Sequence, residues 1–415
     1  MIRIALHWQI LAAILLGIAA GFFFPQYTGY VSWMGTLFLR LLKMVVIPLI
    51  FCTLVSAITG LRGEGKLGRI GGKAAGLYVL TTLAAILTAL VFVNIFRPGT
   101  GIALPQNQDT EIVHLQPAKP IQETLLGIFP ENPFSALANA DMLPIVVFAL
   151  LFGIFLSRTR NKTEPQNASV PLETLVQVFK GCDRVMMQMT VFVMMLAPLG
   201  VFGMIAESAA KFSGDSEMLK QLGSGLGWHC ITILSGLVFH SIITLSVLLY
   251  LAGCSPWKHL CNMSSVILTA FSTASSNATL PLTIEETMKN DGVSEEIAGF
   301  VLPFGAAVNM NGTALYECAV VFFIANAYGV ELPLFQQIIT VLMVMLTAIG
   351  TAGIPMGSIV MIGIILQTVG LPAEAIGLII AVDRPLDMCR TVLNVYSDTC
   401  CCAAIAKKEG ETLRI

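Results

Sequence analysis

The feature that most constrains this chain is an uncharged stretch of 42 residues, from residue 332 to residue 373. A single helix of that length would measure roughly 63 Å, about twice the hydrocarbon thickness of a bilayer. Its centre, residues 350–358, reads GTAGIPMGS, and a continuous helix does not favour these glycines and this proline. Non-helical backbone is tolerated at membrane depth only where protein buries it or where it lines a cavity. The stretch therefore predicts a re-entrant helical hairpin, with two complete spans joined by a surface turn as the alternative.

The composition indicates a membrane protein along the whole chain. Hydrophobic residues make up 56% of the sequence and charged residues only 12%, about half the charged fraction of a typical soluble domain. This excludes nearly all soluble enzymes, and the lack of a basic patch in the sequence argues against a nucleic-acid binder. Other apolar stretches that predict spans, or parts of spans, are residues 4–25, 44–61, 74–96, 142–157, 185–205, 230–254 and 297–330.

A shorter uncharged stretch, residues 259–284, has a small and polar centre that reads STASSNAT. It is either one poor span or a second hairpin, and the distribution of Lys and Arg favours the hairpin. With a cytoplasmic N-terminus, the basic loops at 62–73 and 158–180 and the basic segment 407–414 all lie inside only if this stretch is re-entrant. We therefore predict an all-α membrane protein with eight transmembrane helices plus two re-entrant helical hairpins. The hairpins form inverted repeats, both termini are cytoplasmic, and the broken segments place a substrate site at the midplane.

The last predicted span carries most of the polarity within the membrane. Charges in such segments are costly and usually functional. Its polar side chains lie within about 60° of Asp387 on a helical projection. They are Asp383, Arg384, Asp387, Arg390, Thr391, Asn394 and Asp398. The net charge of −1 leaves room for a cation or an ammonium group. A buried ion-pair network that only joins helices is the alternative.

Three further segments offer ligands. Asn309–Thr313 (NMNGT) predicts a helix break with free carbonyl oxygens, which suit Na⁺, with a glycine kink as the alternative. Tyr78, Thr81 and Thr82 share one face of the predicted span 74–96, a weak signal because Thr often bonds its own backbone. The serines in the centre of 259–284 offer backbone N–H groups near helix N-termini, which attract a carboxylate.

Four ordered motifs resemble those of the glutamate/aspartate transporter family, the dicarboxylate/amino acid:cation symporters. They are Asp387–Asp398, Asn309–Thr313, Ser275–Pro281 and Gly350–Gly357. The resemblance runs over nearly the whole chain, including Arg40–Pro48. It implies a homotrimer that works by an elevator-type movement in the lipid bilayer, and the short loops suggest the plasma (inner) membrane of a bacterium.

The resemblance also implies a division into two domains. The scaffold would comprise residues 1–70 (helices 1 and 2) and 101–215 (helices 4 and 5). The transport domain would comprise residues 71–100 (helix 3) and 216–415. The second part would hold helix 6, hairpin 1 at 257–290, helix 7, hairpin 2 at 334–372 and helix 8.

By position in these motifs, Arg390 would pair with the side-chain carboxylate of the substrate and Asp387 with its ammonium group. The other substrate-binding residues implied are Ser275, Ser276, Thr313, Gly353, Thr391 and Asn394. One implied sodium site comprises Gly305, Asn309, Asn394 and Asp398. A second is formed near Ala348, Ile349 and Thr351, and a third by Tyr78, Thr81, Thr82, Asn309 and Asn311.

The chain departs from the family pattern at several places. Ala274 stands where archaeal members have Arg, and Arg384 would supply the guanidinium instead; Cys400–Cys402 replace small or polar residues. Asn311 stands where the family has Asp, so the third sodium site should be weak or absent, and the number of coupled ions is open. Ser397 stands where a glycine is usual. Asp398 is kept, whereas proton-coupled relatives often carry Asn there, and this favours Na⁺.

The resulting expectation is a secondary active symporter, not an enzyme, that takes up L-aspartate or L-glutamate with Na⁺. The alternatives are H⁺ in place of Na⁺, or uptake of cystine or a C4-dicarboxylate. Two other classes are a non-transporting anion channel or sensor and an intramembrane serine hydrolase. The hydrolase would use Ser275 or Ser276, but the nearest histidine, His259, is some 16 residues away.

Overall fold

The secondary structure is helical in every described segment, with no strand among them. The structure is a computed structural model that describes residues 6–60, 66–102, 126, 129–139, 142–162, 169–211, 216–350, 357–372 and 375–415. The expectation of an all-α protein is therefore confirmed for this part of the chain.

The first half of the chain, as far as it is described, forms seven helices. They are α1 Leu6–Phe23, α2 Ser32–Gly60, α3 Lys66–Phe96, α4 Pro133–Asn139, α5 Met142–Lys162, α6 Ser169–Met195 and α7 Ala197–Lys211, with a 3₁₀ turn at Pro25–Tyr30. Helix α1 packs against α7, and α2 packs against α5, α6 and α7.

The second half forms ten described helices and carries most of the buried polar groups. They are α8 Ser216–Phe239, α9 Leu245–Ala252, α10 Pro256–Asn262, α11 Ser264–Thr273, α12 Ser276–Glu286, α13 Glu295–Val308, α14 Asn311–Ala327, α15 Leu334–Gly350, α16 Gly357–Thr368 and α17 Ile376–Lys408. Short π-helical segments at His240–Thr244 and Thr287–Asp291 follow α8 and α12. Helix α17 lies at the centre, against α9, α11, α12, α13 and α14, and α3 packs against α8 and α14.

Three helical segments of the described chain are long and apolar enough to cross a membrane. They are Arg69–Phe96, Lys220–Ala252 and Glu295–Ala327, and the bent pair α6 and α7 would make a fourth. The predicted span over 185–205 lies across this bent pair, and the helix axis turns by 53° between α6 and α7. Pro198 has no N–H to continue the ladder, and its ring excludes the preceding turn. Leu199 and Gly200 bond instead to the carbonyl of Leu196.

The polar stretch 259–284 turns back on itself instead of forming one helix. Helix α11 ends at Thr273, Ala274 adopts a left-handed conformation with φ of 46°, and Ser275 caps α12 by accepting from the N–H of Ala278. The two helices pack together. Helices α15 and α16 also pack together, and residues 351–356, which join them, lie outside the described residues.

The base of this first helix pair is fixed by a buried polar cluster. The ring of His259 contacts Asp291 (Nδ1–Oδ2 2.7 Å) and the hydroxyl of Thr399 on α17 (3.1 Å). Asn262 donates to the same aspartate at 2.8 Å. Both ring nitrogens of His259 are thus engaged with neighbours other than Ser275, so the ring is no base for a serine hydrolase.

The segment after α17 is tied to the start of α3. Glu409 bonds the side chains of Arg69 and Lys73, each at 2.6 Å. Hydrogen bonds from Lys73 and Arg69 hold the pKa of Glu409 below its ordinary value. Glu411 accepts from the backbone N–H of Ser294 at 3.0 Å. These contacts join the segment after α17 to the starts of α3 and α13.

Candidate functional site

The helix that sequence analysis predicted to break does break. Asn309 and Met310, between α13 and α14, have ψ angles of 78° and 56°, outside the helical region. The first N–H groups of α14 then lack partners in their own helix. The side-chain Oδ1 of Asn394 on α17 accepts from the N–H groups of Gly312 (2.7 Å) and Thr313 (3.3 Å). Asn394 therefore caps α14 from a neighbouring helix.

Glycine lets α14 and α17 approach closely at this cap. A Cβ atom at Gly312 would overlap the backbone carbonyl of Arg390. The amide nitrogen of Asn394 also donates to the hydroxyl of Thr313 at 3.1 Å. Thr313, Asn394 and Thr391 are all buried. Three of the predicted substrate-binding residues thus lie together at one crossing of two helices.

The charged face of α17 forms a continuous set of ion pairs. Arg390 contacts Asp387 (Nε–Oδ1 2.9 Å) and Asp383 (Nη1–Oδ1 3.3 Å), and Arg384 contacts the other oxygen of Asp387 at 3.2 Å. The guanidinium carbon of Arg390 lies 4.2 Å from the ring centroid of Tyr316 on α14, a cation–π contact. Arg390 is 2% exposed and Asp383 0%. Two carboxylates and an aromatic face therefore hold this guanidinium in place.

The two residues predicted to recognise opposite ends of a substrate are thus paired with each other. A planar guanidinium is suited to bidentate contact with a carboxylate, and a carboxylate to an ammonium group. Breaking a buried ion pair is costly unless each charge receives a new partner. A ligand that carries both charges can supply both partners at once.

A second cluster lies further along α17, around Asp398, which is 3% exposed. Its Oδ1 accepts from the amide of Asn309 at 2.8 Å. A Cβ at Gly305 would come within 2.6 Å of the same oxygen, so only glycine leaves room there. A buried carboxylate beside a helix break offers carboxylate, amide and backbone carbonyl oxygens, which is the donor chemistry that Na⁺ requires. The residues of the first predicted sodium site therefore fit a monovalent cation.

The predicted third sodium site is also assembled, but from neutral groups. Thr81 donates to Asn309 Oδ1 at 3.2 Å, Thr82 donates to Asn311 Oδ1 at 2.8 Å, and the hydroxyl of Tyr78 donates to the carbonyl of Val301 at 2.8 Å. All of these side chains are buried. The hydroxyl of Ser397, for which the sequence suggested no role, accepts from both asparagine amides, at 2.9 and 2.6 Å.

The remaining predicted residues lie on the two helix pairs. Ser275 caps α12 and Ser276 is its buried first residue, on a helix that packs against α17. Ala348 is buried on α15, and the described chain includes the backbone but not the side chain of Ile349. Thr351 and Gly353 lie outside the described residues.

One buried carboxylate was missed by the sequence analysis. Glu317 on α14 is 0% exposed; Oε2 accepts from Thr347 on α15 at 2.9 Å, and Oε1 has no hydrogen-bond partner within the described residues. It is the single charge in the stretch 297–330. A charge isolated in a predicted span is itself a sign of function, so the signal was present in the sequence.

Together, the long apolar helices and the two buried polar clusters indicate a membrane protein that carries functional polar groups within its helices. A family model described as the sodium:dicarboxylate symporter family matches residues 6–408. The chain is 34% identical to the proton/sodium-glutamate symport protein of Geobacillus stearothermophilus, over 99% of this chain and 96% of that protein. It is also 34% identical to the proton/glutamate-aspartate symporter of Escherichia coli strain K12, over 98% and 94% of the two chains.

A C4-dicarboxylate transport protein of Azorhizobium caulinodans is 30% identical over 98% of this chain and 89% of that protein. The chain therefore belongs to the sodium:dicarboxylate symporter family. This confirms the family suggested by the four motifs. The names of the family and of these relatives describe membrane transporters and not enzymes.

Proposed function

We propose that this protein is a secondary active symporter that takes up L-glutamate or L-aspartate with Na⁺. The observation that carries the proposal is the pairing of Asp387 with Arg390 on a buried face of α17, about two to three turns from Asp398. An acidic amino acid offers a carboxylate to Arg390 and an ammonium group to Asp387. It can therefore replace the internal ion pair without leaving either charge unpaired.

Substrate selection depends on which charged side chain of the site each ligand would leave unpaired. A small neutral amino acid would satisfy Asp387 and leave Arg390 without a ligand carboxylate. A C4-dicarboxylate would satisfy Arg390, while Asp387 would keep only its contact with Arg384, which is 3.2 Å away. The names of the relatives include both glutamate and C4-dicarboxylate transporters. Competition by succinate and cystine is therefore part of the test.

The other substrate contacts belong to the same proposal. The N–H groups at the start of α12, near Ser275 and Ser276, would bind the α-carboxylate together with Asn394. Thr313 and Thr391 would add hydrogen bonds from the two crossing helices. Gly353, in the segment that joins α15 and α16, would let the second hairpin close over the ligand.

We assign the coupling ion to Asp398, with the backbone carbonyls of Gly305, Asn309 and Asn394 as the remaining ligands. A second ion would bind near Ala348, Ile349 and Thr351, where closure of the hairpin couples ion and substrate. Proton coupling is the alternative. Glu317 favours it, because a buried carboxylate with one oxygen lacking a hydrogen-bond partner in the described chain can carry a proton across a low-dielectric region.

The architecture that we propose has eight spans and two re-entrant hairpins related by inverted repeats. The packing of α2 with α5, α6 and α7, and of α17 with α9 and α11 to α14, supports a scaffold (1–70, 101–215) and a transport domain (71–100, 216–415). The transport domain would move as a rigid body in each protomer of a homotrimer. The protein would lie in the bacterial plasma membrane with both termini in the cytoplasm.

The test is uptake of radiolabelled L-glutamate and L-aspartate by proteoliposomes, with unlabelled succinate and cystine as competitors. An inward Na⁺ gradient should drive accumulation, an equal choline gradient should not, and a pH gradient alone should drive it only if H⁺ replaces Na⁺. Ionic currents without accumulation would support a channel or sensor instead. Lack of uptake of either amino acid under every gradient would refute the proposal.

A further inference from the structure

Ser397 lies at the centre of a hydrogen-bond network that joins three helices. Its hydroxyl oxygen is 2.9 Å from the amide nitrogen of Asn309 and 2.6 Å from that of Asn311. Ser397, Asn309 and Asn311 are each 0% exposed. Two N–H donors from the break between α13 and α14 therefore meet one acceptor on α17.

The side-chain carbonyl oxygens of both asparagines accept hydrogen bonds from α3. Asn309 Oδ1 accepts from Thr81 and Asn311 Oδ1 accepts from Thr82. Asn309 uses its amide nitrogen a second time, for Asp398. Asp398 is therefore the single charged side chain in this described network, and the bridge through Asn311 is neutral from α3 to α17.

The neutral amide of Asn311 avoids a second buried negative charge at this junction. A carboxylate at the same position would need a bound cation to neutralise it. A carboxylate has acceptors only. One oxygen would keep the hydrogen bond from Thr82, the other would replace the N–H that Ser397 accepts, and the group would add a second buried charge near Asp398. Two buried carboxylates so close together need a cation to compensate them. The N–H of Asn311 supplies the positive end of a dipole instead, and Ser397 supplies the acceptor that this N–H needs.

Ser397 and Asn311 depend on each other. A glycine or alanine at 397 would leave the buried N–H of Asn311 without its acceptor, which is costly in a dry interior. We propose that Asn311 and Ser397 together replace a bound cation at the junction of α3, α14 and α17. Transport is then coupled at this junction to one cation, held by Asp398, instead of two. The link to transport rests on the proposed function. The number of sodium ions that bind the protein can be measured without an amino acid.

The experiment compares four full-length proteins in detergent: the unmodified chain, Asn311→Asp, Ser397→Ala and the double variant. Thermal unfolding is recorded against NaCl concentration, with choline chloride keeping ionic strength constant. An ion that binds only the native state raises stability in proportion to the logarithm of its concentration, with a slope equal to the number of ions. Thr232→Ala is the matched control, since among the described residues that buried hydroxyl bonds its own helix alone, at the carbonyl of Trp228.

We expect the slope to rise by one sodium ion in Asn311→Asp and in the double variant. Ser397→Ala alone should lower the melting temperature and leave the slope unchanged, because it removes an acceptor and adds no charge. Thr232→Ala should leave the slope unchanged too. An Asn311→Asp protein that folds only when NaCl is present would agree with the proposal. Equal rescue by choline chloride would overturn it.

Two other results would also overturn the inference. One is an unchanged slope in both proteins that carry Asp at 311. The other is a gain of one ion in Ser397→Ala with Asn311 in place, because the additional carboxylate would then not be needed. If no variant binds glutamate or aspartate, the proposed function fails, while the sodium slopes still decide the inference about 311 and 397.

Discussion

The strongest test of the substrate site is removal of the guanidinium of Arg390. In the structure this group bonds Asp387, faces Asp383 and lies over the ring of Tyr316. Arg390→Ala should therefore weaken binding of acidic amino acids, because the ligand carboxylate loses its partner. It should also destabilise the fold, because the buried aspartates lose theirs. The two effects have to be separated before either can be interpreted.

The size of each effect follows from the burial of these groups. Breaking a buried ion pair by deleting one partner costs about 3–5 kcal/mol of stability, and the lost cation–π contact adds about 0.5–2 kcal/mol. Loss of a desolvated charge pair with the ligand costs about 2–5 kcal/mol, which is about 30-fold to about 4,000-fold in Kd. The stability loss arises mainly because Asp383, which is 0% exposed, loses its cation.

A second substitution separates the two effects. Arg390→Ala with Asp383→Asn removes the stranded charge, so the double variant should recover most of the lost melting temperature. It should not recover glutamate affinity, measured by calorimetry in NaCl, and small neutral amino acids should now bind through Asp387. Glutamate affinity within threefold of the unmodified protein in the double variant would refute the assignment of Arg390 to the substrate.

The remaining predictions concern the ion site, the cap, the buried glutamate and the terminal ion pairs. Gly305→Ala should abolish Na⁺-dependent thermal stabilisation, because its Cβ would meet the Asp398 carboxylate within 2.6 Å; an unchanged sodium dependence would contradict this placement of the ion. Asn394→Ala should cost about 1–2 kcal/mol of stability through loss of the α14 cap, and an unchanged melting temperature in ligand-free buffer would exclude that role. Glu317→Gln keeps an acceptor but holds no exchangeable charge. If H⁺ is coupled, uptake by this variant should lose its dependence on a pH gradient, and with Na⁺ alone it should keep the pH profile of the unmodified protein. The pKa of Glu409 is held below its ordinary value. The ion pairs of Glu409 therefore stabilise the folded protein above the unfolded-state pKa, about 4.3, and this stabilisation is lost as the pH falls below that value. The difference in melting temperature between Glu409→Gln and the unmodified protein should therefore shrink between pH 6 and pH 3, and a difference that grows would contradict the ion pairs.

Local chemistry predicted the helix breaks well. The small polar residues around Ala274 and the NMNGT segment both interrupt helices where the sequence indicated. Hydropathy alone predicted an apolar span over residues 185–205 but not its 53° bend, because a window of apolar residues does not register one proline at position 198. The bend there comes from a missing N–H and a ring clash, which are properties of a single residue.

Sequence predicted which side chains of α17 share a face but not which of them bind each other. Helical periodicity places Asp387 and Arg390 together, whereas the contact of Arg390 with Tyr316 depends on how α14 crosses α17. The role of Ser397 was hidden for the same reason. Its two partners are 88 and 86 residues away in the chain, and no local pattern relates a serine on one helix to two amides at the break of another.

The two polar clusters of α17 differ in their balance of charge. Under the proposed function, this difference lets one helix bind both the substrate and the ion. Around Arg390 the protein provides charges in opposite pairs, so a zwitterionic ligand can exchange pair for pair at little electrostatic cost. Around Asp398 it provides one charge surrounded by neutral amides and hydroxyls, so a single monovalent cation brings that cluster to neutrality. A carboxylate at 311 would unbalance the second cluster without touching the first. Under the proposed function, the number of ions bound at this junction can therefore change without any change in the charged residues assigned to the substrate.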